Sequence, residues 1–335
     1  MQKSSLVKLA LAAGATGAAA AAAGAVVAGR RWAAADDPDA ATRLTIRDGT
    51  DVRIPTTDGG GIAATVARGA DAGGRTFVLV HGWTNDRRIW APVARILLDR
   101  GHRVVLYDQR GHGASRAGRD GLTIEAIGAD MAAVLEHLDV RDAVVAGHSM
   151  GGMAAQAFAI AHPDVLADRV AAVALVSTAS SDVRARGPAA LLAPRVLGSR
   201  LANGFVGNSR FGPFFVRDTM RKATLTNLRV MQDTFVATDP SVRSTFYRAM
   251  AAMDLREGLA DVDVPVLVIS GTHDKLIAHS NARRLADLID GARFEAVRDA
   301  GHMVPLERPD ALADLLEDLA STSRAPHSTL IGASR

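Results

Sequence analysis

Short apolar segments alternate with longer amphipathic segments along most of this chain. The short segments are rich in β-branched residues, which predicts strands at Arg75–Val80, Arg103–Tyr107, Ala143–Ala146, Ala171–Val176, Val264–Ser270 and Ala292–Val297. Between them, apolar side chains recur at helical spacing, which predicts helices at Asp86–Arg100, Thr123–Leu138, Met150–Ala161, Ser280–Ile289 and Pro309–Leu319. This alternation indicates the α/β class, with a mostly parallel sheet covered by helices on both faces.

The alternation breaks at residues 182–262, where the composition is helical and Gly and Pro residues interrupt the chain. An insertion this long between two core strands is usually functional, so we predict a helical lid over the strand ends. Half of the chain's aromatic residues lie in it: Phe205, Phe211, Phe214, Phe215, Phe235, Phe246 and Tyr247. We expect some of them to line a substrate cavity; the alternative is that they form a small core of the lid itself.

The part of the chain with this pattern is predicted to be one domain. Two extended segments, Asp51–Pro55 and Ile62–Arg68, predict a hairpin that precedes the first core strand. The last amphipathic helix ends near Leu319. We therefore place the domain at residues 46–325, followed by a C-terminal tail at 326–335.

The first 35 residues differ from the rest. Lys3 and Lys8 precede an uncharged run of 21 residues, Leu9–Gly29, which is mostly Ala and Gly and is followed by Ala33–Ala35. A basic head, an apolar run and a small-residue triplet are typical of an export signal, and a helix of this length spans a bilayer. Residues 1–35 are therefore predicted to be a signal peptide or a membrane anchor, with a plain Ala/Gly tail as the alternative. We expect an exported or membrane-anchored protein, associated with the membrane through residues 9–29 if they are retained.

Composition narrows the class of function. The chain carries 39 Lys+Arg against 36 Asp+Glu, and a net charge of only +3 argues against nucleic acid as the main partner. Cys is absent, which excludes disulfide scaffolds, thiolate metal sites and cysteine nucleophiles. The sequence contains no P-loop, dinucleotide fingerprint or metal-ligand spacing, so we expect neither a cofactor nor a metal ion.

One motif carries a candidate nucleophile. The run Gly147-His148-Ser149-Met150-Gly151 follows a predicted strand and opens a predicted helix. In that setting G-x-S-x-G forms a nucleophile elbow, a tight turn that exposes the serine hydroxyl at a helix N-terminus. Small neighbours are needed because the flanks of the turn pack closely on the strand and the helix. Ser149 is therefore the predicted nucleophile.

A serine hydroxyl needs a base to take its proton and an acid to orient that base. Asp274 follows the strand Val264–Ser270, and His302 follows the strand that ends at Val297, so all three residues reach the same edge of the sheet. The order Ser, acid, His is the one expected for a nucleophile elbow in an α/β sheet. The weaker candidates are Asp182 and Asp263 as the acid and His273 as the base.

The oxyanion of an acyl-transfer reaction needs two preorganised N–H donors. The residue after the nucleophile, Met150, supplies one of them. The loop after the first core strand supplies the other, and there Gly82 allows a close approach of the main chain, so we assign the second donor to the N–H of Trp83. His81 is interpreted as structural, because the chain order already supplies a base.

From about Arg75 to Ala320 the chain resembles the α/β-hydrolase superfamily. The resemblance rests on five segments: His81–Trp83, Asp108–Ser115, Gly147–Gly152, Gly271–Asp274, and Gly301–Met303 with Glu307–Pro309. It implies a cofactor-free serine hydrolase of the esterase, lactonase, thioesterase or non-haem-peroxidase-like type. Within Asp108–Ser115, it implies a structural role for Asp108, Arg110, His112 and Ser115. A serine at the nucleophile position argues against epoxide hydrolase and haloalkane dehalogenase chemistry.

The expected reaction is the cleavage of a carboxylic ester, or a related lactone or thioester, through an acyl-enzyme on Ser149. His302 takes the serine proton and Asp274 aligns His302. The substrate is expected to be a small molecule with an apolar acyl or ring portion. Alternatives within the same fold are C–C bond hydrolysis and peroxidase-like chemistry. An alternative of another class is a non-catalytic ligand-binding or receptor protein.

Overall fold

A central β-sheet organises the part of the chain that the structure describes. The structure is a computed structural model that describes residues 44–46, 48–70, 74–183, 188–208 and 212–323, without the side chains of 188–192, 214 and 215. Eight strands are present in those ranges: β1 Thr50–Pro55, β2 Gly61–Arg68, β3 Thr76–Val80, β4 Arg103–Tyr107, β5 Ala143–His148, β6 Val170–Val176, β7 Val266–Gly271 and β8 Arg293–Val297. The predicted segments 1–35 and 326–335 lie outside the described residues.

The strands follow the order β1-β2-β4-β3-β5-β6-β7-β8. β2 pairs antiparallel with β1 and with β4. The other neighbouring strands, β4, β3, β5, β6, β7 and β8 in that order, are parallel to one another. The prediction of a mostly parallel sheet is therefore confirmed. Register aligns the carboxyl ends at one edge, since Val80 lies opposite Gly147 and His148 lies opposite Val176.

Helices cover both faces of the sheet. Outside the β6–β7 connection they are α1 Ala91–Asp99, α2 Ile124–His137, α3 Met150–Ala161, α4 Pro163–Arg169, α10 His279–Ala286, α11 Val304–Glu307 and α12 Pro309–Thr322. One buried cluster joins α2 and α3 to the sheet, and a second joins α1 and α12 to the opposite face. β5 and β6 are buried along their whole length, which explains why they appear in the sequence as continuous apolar runs.

The helix predicted at Asp86–Arg100 is divided in two. Arg87–Trp90 forms a 3₁₀ turn, and the α-helix begins only at Ala91. Pro92 has no N–H to donate to Arg88 O, and the N–H of Ala91 donates to that carbonyl instead, with 3₁₀ spacing.

The chain between β6 and β7 is helical. It contains α5 Pro188–Leu197, α6 Arg200–Val206, α7 Gly212–Val216, a 3₁₀ turn at Arg217–Thr219, α8 Leu225–Ala237 and α9 Pro240–Ala252. We refer to α5–α9 as the inserted helices. Of the aromatic residues expected to line a cavity or to form a core of the lid, Phe246 is fully buried, whereas Phe205 is 62% exposed. Phe211 and the side chains of Phe214 and Phe215 lie outside the described part.

The prediction of an exported or membrane-anchored protein is corrected. Across residues 44–323, excluding the short undescribed gaps, no helix is long and apolar enough to cross a membrane. The longest described helices, α2 and α12, have 14 residues each. The segment on which the prediction depended, residues 9–29, lies outside the described residues.

Candidate active site

Ser149 lies at a strained turn between β5 and α3. Its backbone has φ 53° and ψ −117°, a conformation that side chains other than that of glycine disfavour. A Cβ on Gly147 would collide with the carbonyl of Gly151, and so the turn requires glycine there. The turn is fixed on both sides: Ser149 N–H donates to Val176 O at 2.9 Å, and Thr178 Oγ1 donates to Ser149 O at 2.8 Å.

Asp274 and His302 are in direct contact. His302 Nδ1 lies 2.8 Å from Asp274 Oδ2, and the carboxylate side chain is fully buried. Asp274 Oδ1 accepts from the N–H groups of Leu276 at 2.8 Å and Ile277 at 2.9 Å. Burial alone would raise the pKa of Asp274, but His302 and these two N–H groups bring it below its usual value. The acid is therefore held ionised, and the imidazole is held with Nδ1 toward it.

The elbow and the loop of His302 are joined through His148, the residue before Ser149. His148 Nε2 donates to the carbonyl oxygen of His302 at 2.9 Å, and the two rings lie 4.9 Å apart. His148 is fully buried, and burial, followed by the charge of His302, lowers its pKa to about 3. His148 is thus a neutral residue that joins the loop of the candidate base, His302, to the turn that carries Ser149. Nothing in the sequence indicated this contact, although His148 lies inside the elbow motif.

The loop after β3 is arranged so that one N–H group is left available. Gly82 O accepts from His81 Nδ1 at 2.7 Å and from Asn85 N–H at 3.3 Å. Because the peptide is trans, the N–H of Trp83 points the opposite way. Gly82 packs on the elbow, since a Cβ there would lie 3.0 Å from Ser149 Cβ.

Two neutral histidine rings, those of His81 and His112, fix the position of this loop. His81 Nε2 accepts from Gln109 N–H at 2.9 Å, and His112 Nε2 accepts from Thr84 N–H at 3.2 Å. Both rings are fully buried, and burial is the main cause that lowers the pKa of each, to about 3 for His112. Each ring therefore accepts at Nε2 and donates at Nδ1, which fixes the loop in one conformation.

The Asp108–Ser115 segment lies under the same loops, as its structural interpretation predicts. Asp108 accepts from Arg87 N–H at 2.9 Å and from Ala114 N–H at 2.9 Å. Arg110 is buried and forms a bidentate pair with Asp130, at 2.7 Å for each bond. These contacts hold the segment in place beside the loops of the candidate site.

The weaker candidates lie elsewhere. Asp263 and His273 are exposed, and His273 Nδ1 lies 3.0 Å from Thr272 Oγ1. Asp182 lines a cavity of about 300 Å³ that it shares with Arg256 and Arg284. Of the described carboxylates, Asp274 is the one bonded to His302. The described residues contain no group of three or more His, Asp or Glu arranged to hold a metal ion.

The insertion between β6 and β7 contacts the candidate site at two places, once through α9 and once through the 3₁₀ turn Arg217–Thr219. Trp83 Nε1 donates to Arg243 O in α9 at 3.2 Å, and the Trp83 ring lies 6.0 Å from that of Tyr247. On the other side, the N–H of His302 donates to Thr219 O at 2.8 Å. The loops that carry the candidate oxyanion donor and the candidate base are therefore both attached to the insertion.

The arrangement of sheet, elbow and acid–histidine pair matches a known family. Residues 75–309 match the family model described as the alpha/beta hydrolase fold. The chain belongs to the α/β-hydrolase family.

Two curated relatives of this α/β hydrolase differ in the reaction their names describe. It is 30% identical over 256 residues to a non-heme chloroperoxidase of Streptomyces lividans, covering 72% of this chain and 91% of the relative. It is also 30% identical over 253 residues to a pimeloyl-[acyl-carrier protein] methyl ester esterase of Aromatoleum aromaticum, covering 72% and 97%.

A solved structure extends the likeness to a third reaction. The enol-lactonase of Burkholderia xenovorans LB400 superimposes on this α/β hydrolase with a TM-score of 0.66 at 29% sequence identity. The match covers 81% of this chain and 100% of the lactonase. Ester cleavage, lactone cleavage and peroxidase chemistry thus all occur among proteins similar to this one.

Proposed function

We propose that this α/β hydrolase is a serine hydrolase that cleaves a carboxylic ester or a related lactone or thioester through an acyl-enzyme on Ser149. The observation that carries the proposal is the 2.8 Å contact between His302 and the buried Asp274, at the edge of the sheet where the elbow presents Ser149. Relatives named as a methyl ester esterase and an enol-lactonase support the choice of bond.

The proposed reaction uses Ser149, His302 and Asp274 in three different roles. His302 Nε2 takes the proton of Ser149 as the hydroxyl oxygen attacks the substrate carbonyl. Asp274 accepts from Nδ1, holds that tautomer and stabilises the imidazolium ion. His302 then gives its proton to the leaving alcohol, and the acyl-enzyme forms. Water, deprotonated by His302, hydrolyses the acyl-enzyme and releases the acid.

The negative charge on the tetrahedral intermediate is assigned to the N–H groups of Met150 and Trp83. Among the hydrogen bonds of the described residues, none uses either of these N–H groups. Met150 begins α3, where the helix dipole favours negative charge. One such donor is worth about 10²- to 10³-fold in rate.

The inserted helices are proposed to form the lid over this site, within residues 182–262. Their support is the contact of α9 with Trp83, through Arg243 O and Tyr247. A lid that meets the oxyanion loop with aromatic rings suits a small substrate with an apolar acyl or ring portion.

The test compares two buried serines that follow adjacent strands. Ser149→Ala should lose at least about a thousandfold in turnover of a short p-nitrophenyl ester, and should no longer react with a fluorophosphonate probe. Ser177 is the matched control: it is fully buried, has φ 48° and follows β6, but no proposed base serves it. Ser177→Ala should keep both turnover and labelling. Wild-type protein that turns over no ester and takes no probe would instead be the non-catalytic binding protein.

A second candidate is peroxidase-like chemistry, which the chloroperoxidase relative favours. The same three residues would serve, because hydrogen peroxide would replace water in attack on the acyl-enzyme. Halogenation in acetate buffer with peroxide and bromide, compared with ester hydrolysis in the same protein, distinguishes the two activities. A rate of halogenation above that of hydrolysis would favour the second candidate.

A further inference from the structure

The loop that carries His302 is fastened to the insertion by a carboxylate that the proposed mechanism does not use. Glu307 ends the short helix α11. Its Oε1 accepts from Gly301 N–H at 2.9 Å. Its Oε2 accepts from the N–H groups of Arg221 at 2.6 Å and Lys222 at 3.0 Å. One side chain thus joins the residue before His302 to two residues between α7 and α8.

The same two segments are also bonded in the opposite direction. The N–H groups of His302 and Met303 both donate to Thr219 O, at 2.8 and 3.2 Å. The main chains touch directly, since a Cβ on Gly301 would lie 2.7 Å from Arg221 N. The His302 loop is therefore attached to the insertion at two points, through the side chain of Glu307 and through Thr219 O.

Burial raises the pKa of Glu307, and the main-chain N–H groups that donate to it act against that rise. Its three hydrogen-bond partners are all main-chain donors, a setting that suits an ionised carboxylate. A carboxylate only accepts, and its hydrogen bonds are stronger than those of a neutral amide. A glutamine would have to direct its NH₂ group at one of the two sets of N–H donors and would lose that contact. The nearby cations Lys222 and Arg308 lie closer to Asp299, at 3.8 and 3.5 Å, so the charge of Glu307 serves the N–H groups.

We propose that Glu307 is a positioning residue for the base: it sets the orientation of the His302 loop and couples that orientation to the segment between α7 and α8. This inference rests on the proposed function. Glu307 does not meet the substrate; it acts on the distance and angle at which His302 faces Ser149. Proton transfer depends steeply on that geometry, whereas substrate binding does not.

The experiment measures kcat and KM of Glu307→Gln on a short p-nitrophenyl ester, per active site counted by complete fluorophosphonate labelling. We expect kcat to fall about 10- to 100-fold and KM to change less than about threefold. Glu307→Asp keeps the charge and should recover part of kcat. The downfield proton NMR signal of the His302–Asp274 hydrogen bond should shift in Glu307→Gln, which a role in stability alone would not cause.

Glu317→Gln is the matched control. Glu317 lies on α12 and accepts from His102 Nε2 at 2.8 Å, beside the first residue of β4, at the opposite edge of the sheet from His302. This variant should lower Tm and leave kcat and the NMR signal unchanged.

Failure of this inference is distinguishable from failure of the proposed function. Labelled Glu307→Gln with wild-type kcat and an unchanged His302 signal would overturn the positioning role, while Ser149 would remain the nucleophile. Absence of labelling in the wild-type protein would overturn the proposed function itself. If Glu307→Gln does not fold, Glu307→Asp decides the matter: a kcat within about twofold of wild type and an unshifted signal would overturn the inference.

Discussion

Two buried arginines stabilise two regions of the molecule in different ways: the frame, meaning the buried segments that support the loops of the candidate site, and the inserted helices. In the frame, Arg110 is bonded to carboxylates, with Asp130 at 2.7 Å and Asp58 at 3.0 Å. In the inserted helices, Arg243 of α9 is fully buried and is bonded to oxygen atoms that carry no charge. These are the carbonyls of Leu197, Ser199, Phe235 and Thr238 and Oδ1 of Asn203.

The pKa values reflect the difference. Burial alone would lower the pKa of Arg110, but its carboxylate partners raise it, whereas burial lowers the pKa of Arg243. Arg110 therefore compensates the carboxylate charges of the frame. Arg243 instead caps the ends of several inserted helices and holds them together. The frame depends on charge pairing, and the insertion depends on a single side chain that satisfies many carbonyls.

The largest expected effect comes from breaking the charge pair of the frame. Asp130→Ala leaves Arg110 buried without its bidentate partner and should destabilise the fold by about 3–5 kcal/mol. Denaturant unfolding measures it. Asp314→Ala is the control: Asp314 is 65% exposed and pairs with Arg100 at 2.8 Å, so its removal should cost less than about 1 kcal/mol. Equal losses in the two variants would contradict the comparison.

Acid should destabilise the frame next. The pKa of His112 and of His148 is about 3 in the fold, against about 6.5 in an unfolded chain. As the pH falls below 6.5, the unfolded chain binds protons that the fold excludes, so stability is lost progressively down to about pH 3. From pH 7 to 5 each residue should cost about 2 kcal/mol. Denaturant unfolding at several pH values measures the slope, which His112→Gln should reduce; an identical slope would refute this origin.

A smaller effect is expected from the insertion. Arg243→Met leaves several carbonyl groups without donors and should cost about 1–3 kcal/mol. The loss should be local: hydrogen exchange should speed up in α5, α6, α8 and α9 while β3–β7 stay protected. Uniform acceleration across the sheet would show that the insertion and the frame unfold as one unit.

The smallest effect concerns the link between the two regions. Trp83→Phe keeps an aromatic side chain but replaces the indole by a smaller ring without the N–H that donates to Arg243 O. The loss should be about 0.5–1.5 kcal/mol in stability, with a severalfold change in KM for apolar esters. A Tyr247→Leu variant separates the ring contact from the hydrogen bond, and unchanged KM in both variants would mean that the insertion does not shape the substrate site.

The sheet was predictable because buried parallel strands are short, continuous apolar runs. β4 and α3 have the predicted bounds, and the other core strands differ only at their ends. Helix α4 was not predicted, since Leu166 is its one buried residue and no apolar period results. The helix predicted at Asp86–Arg100 shows the opposite error. Its apolar spacing was correct, but Pro92 has no N–H to donate, and the first turn is a 3₁₀ helix.

The candidate site was predictable to the extent that its residues follow strand ends. Chain order and the elbow motif pointed to Asp274 and His302, which the structure places 2.8 Å apart, while their catalytic roles stay predictions. The contacts of Glu307 and Arg243 were not predictable. Each joins a side chain to main-chain groups at least five residues away, and main-chain groups leave no signature in residue type.

The conformation of Ser149 sets its proposed catalytic role against the stability of the fold. At φ 53° and ψ −117° its backbone lies in a region that only glycine adopts without strain, and holding a serine there costs about 1–3 kcal/mol. A lineage released from selection for turnover would be free to adopt glycine at this position and would melt at a higher temperature. Heat resistance gained by such a chain would then mark the decay of its activity.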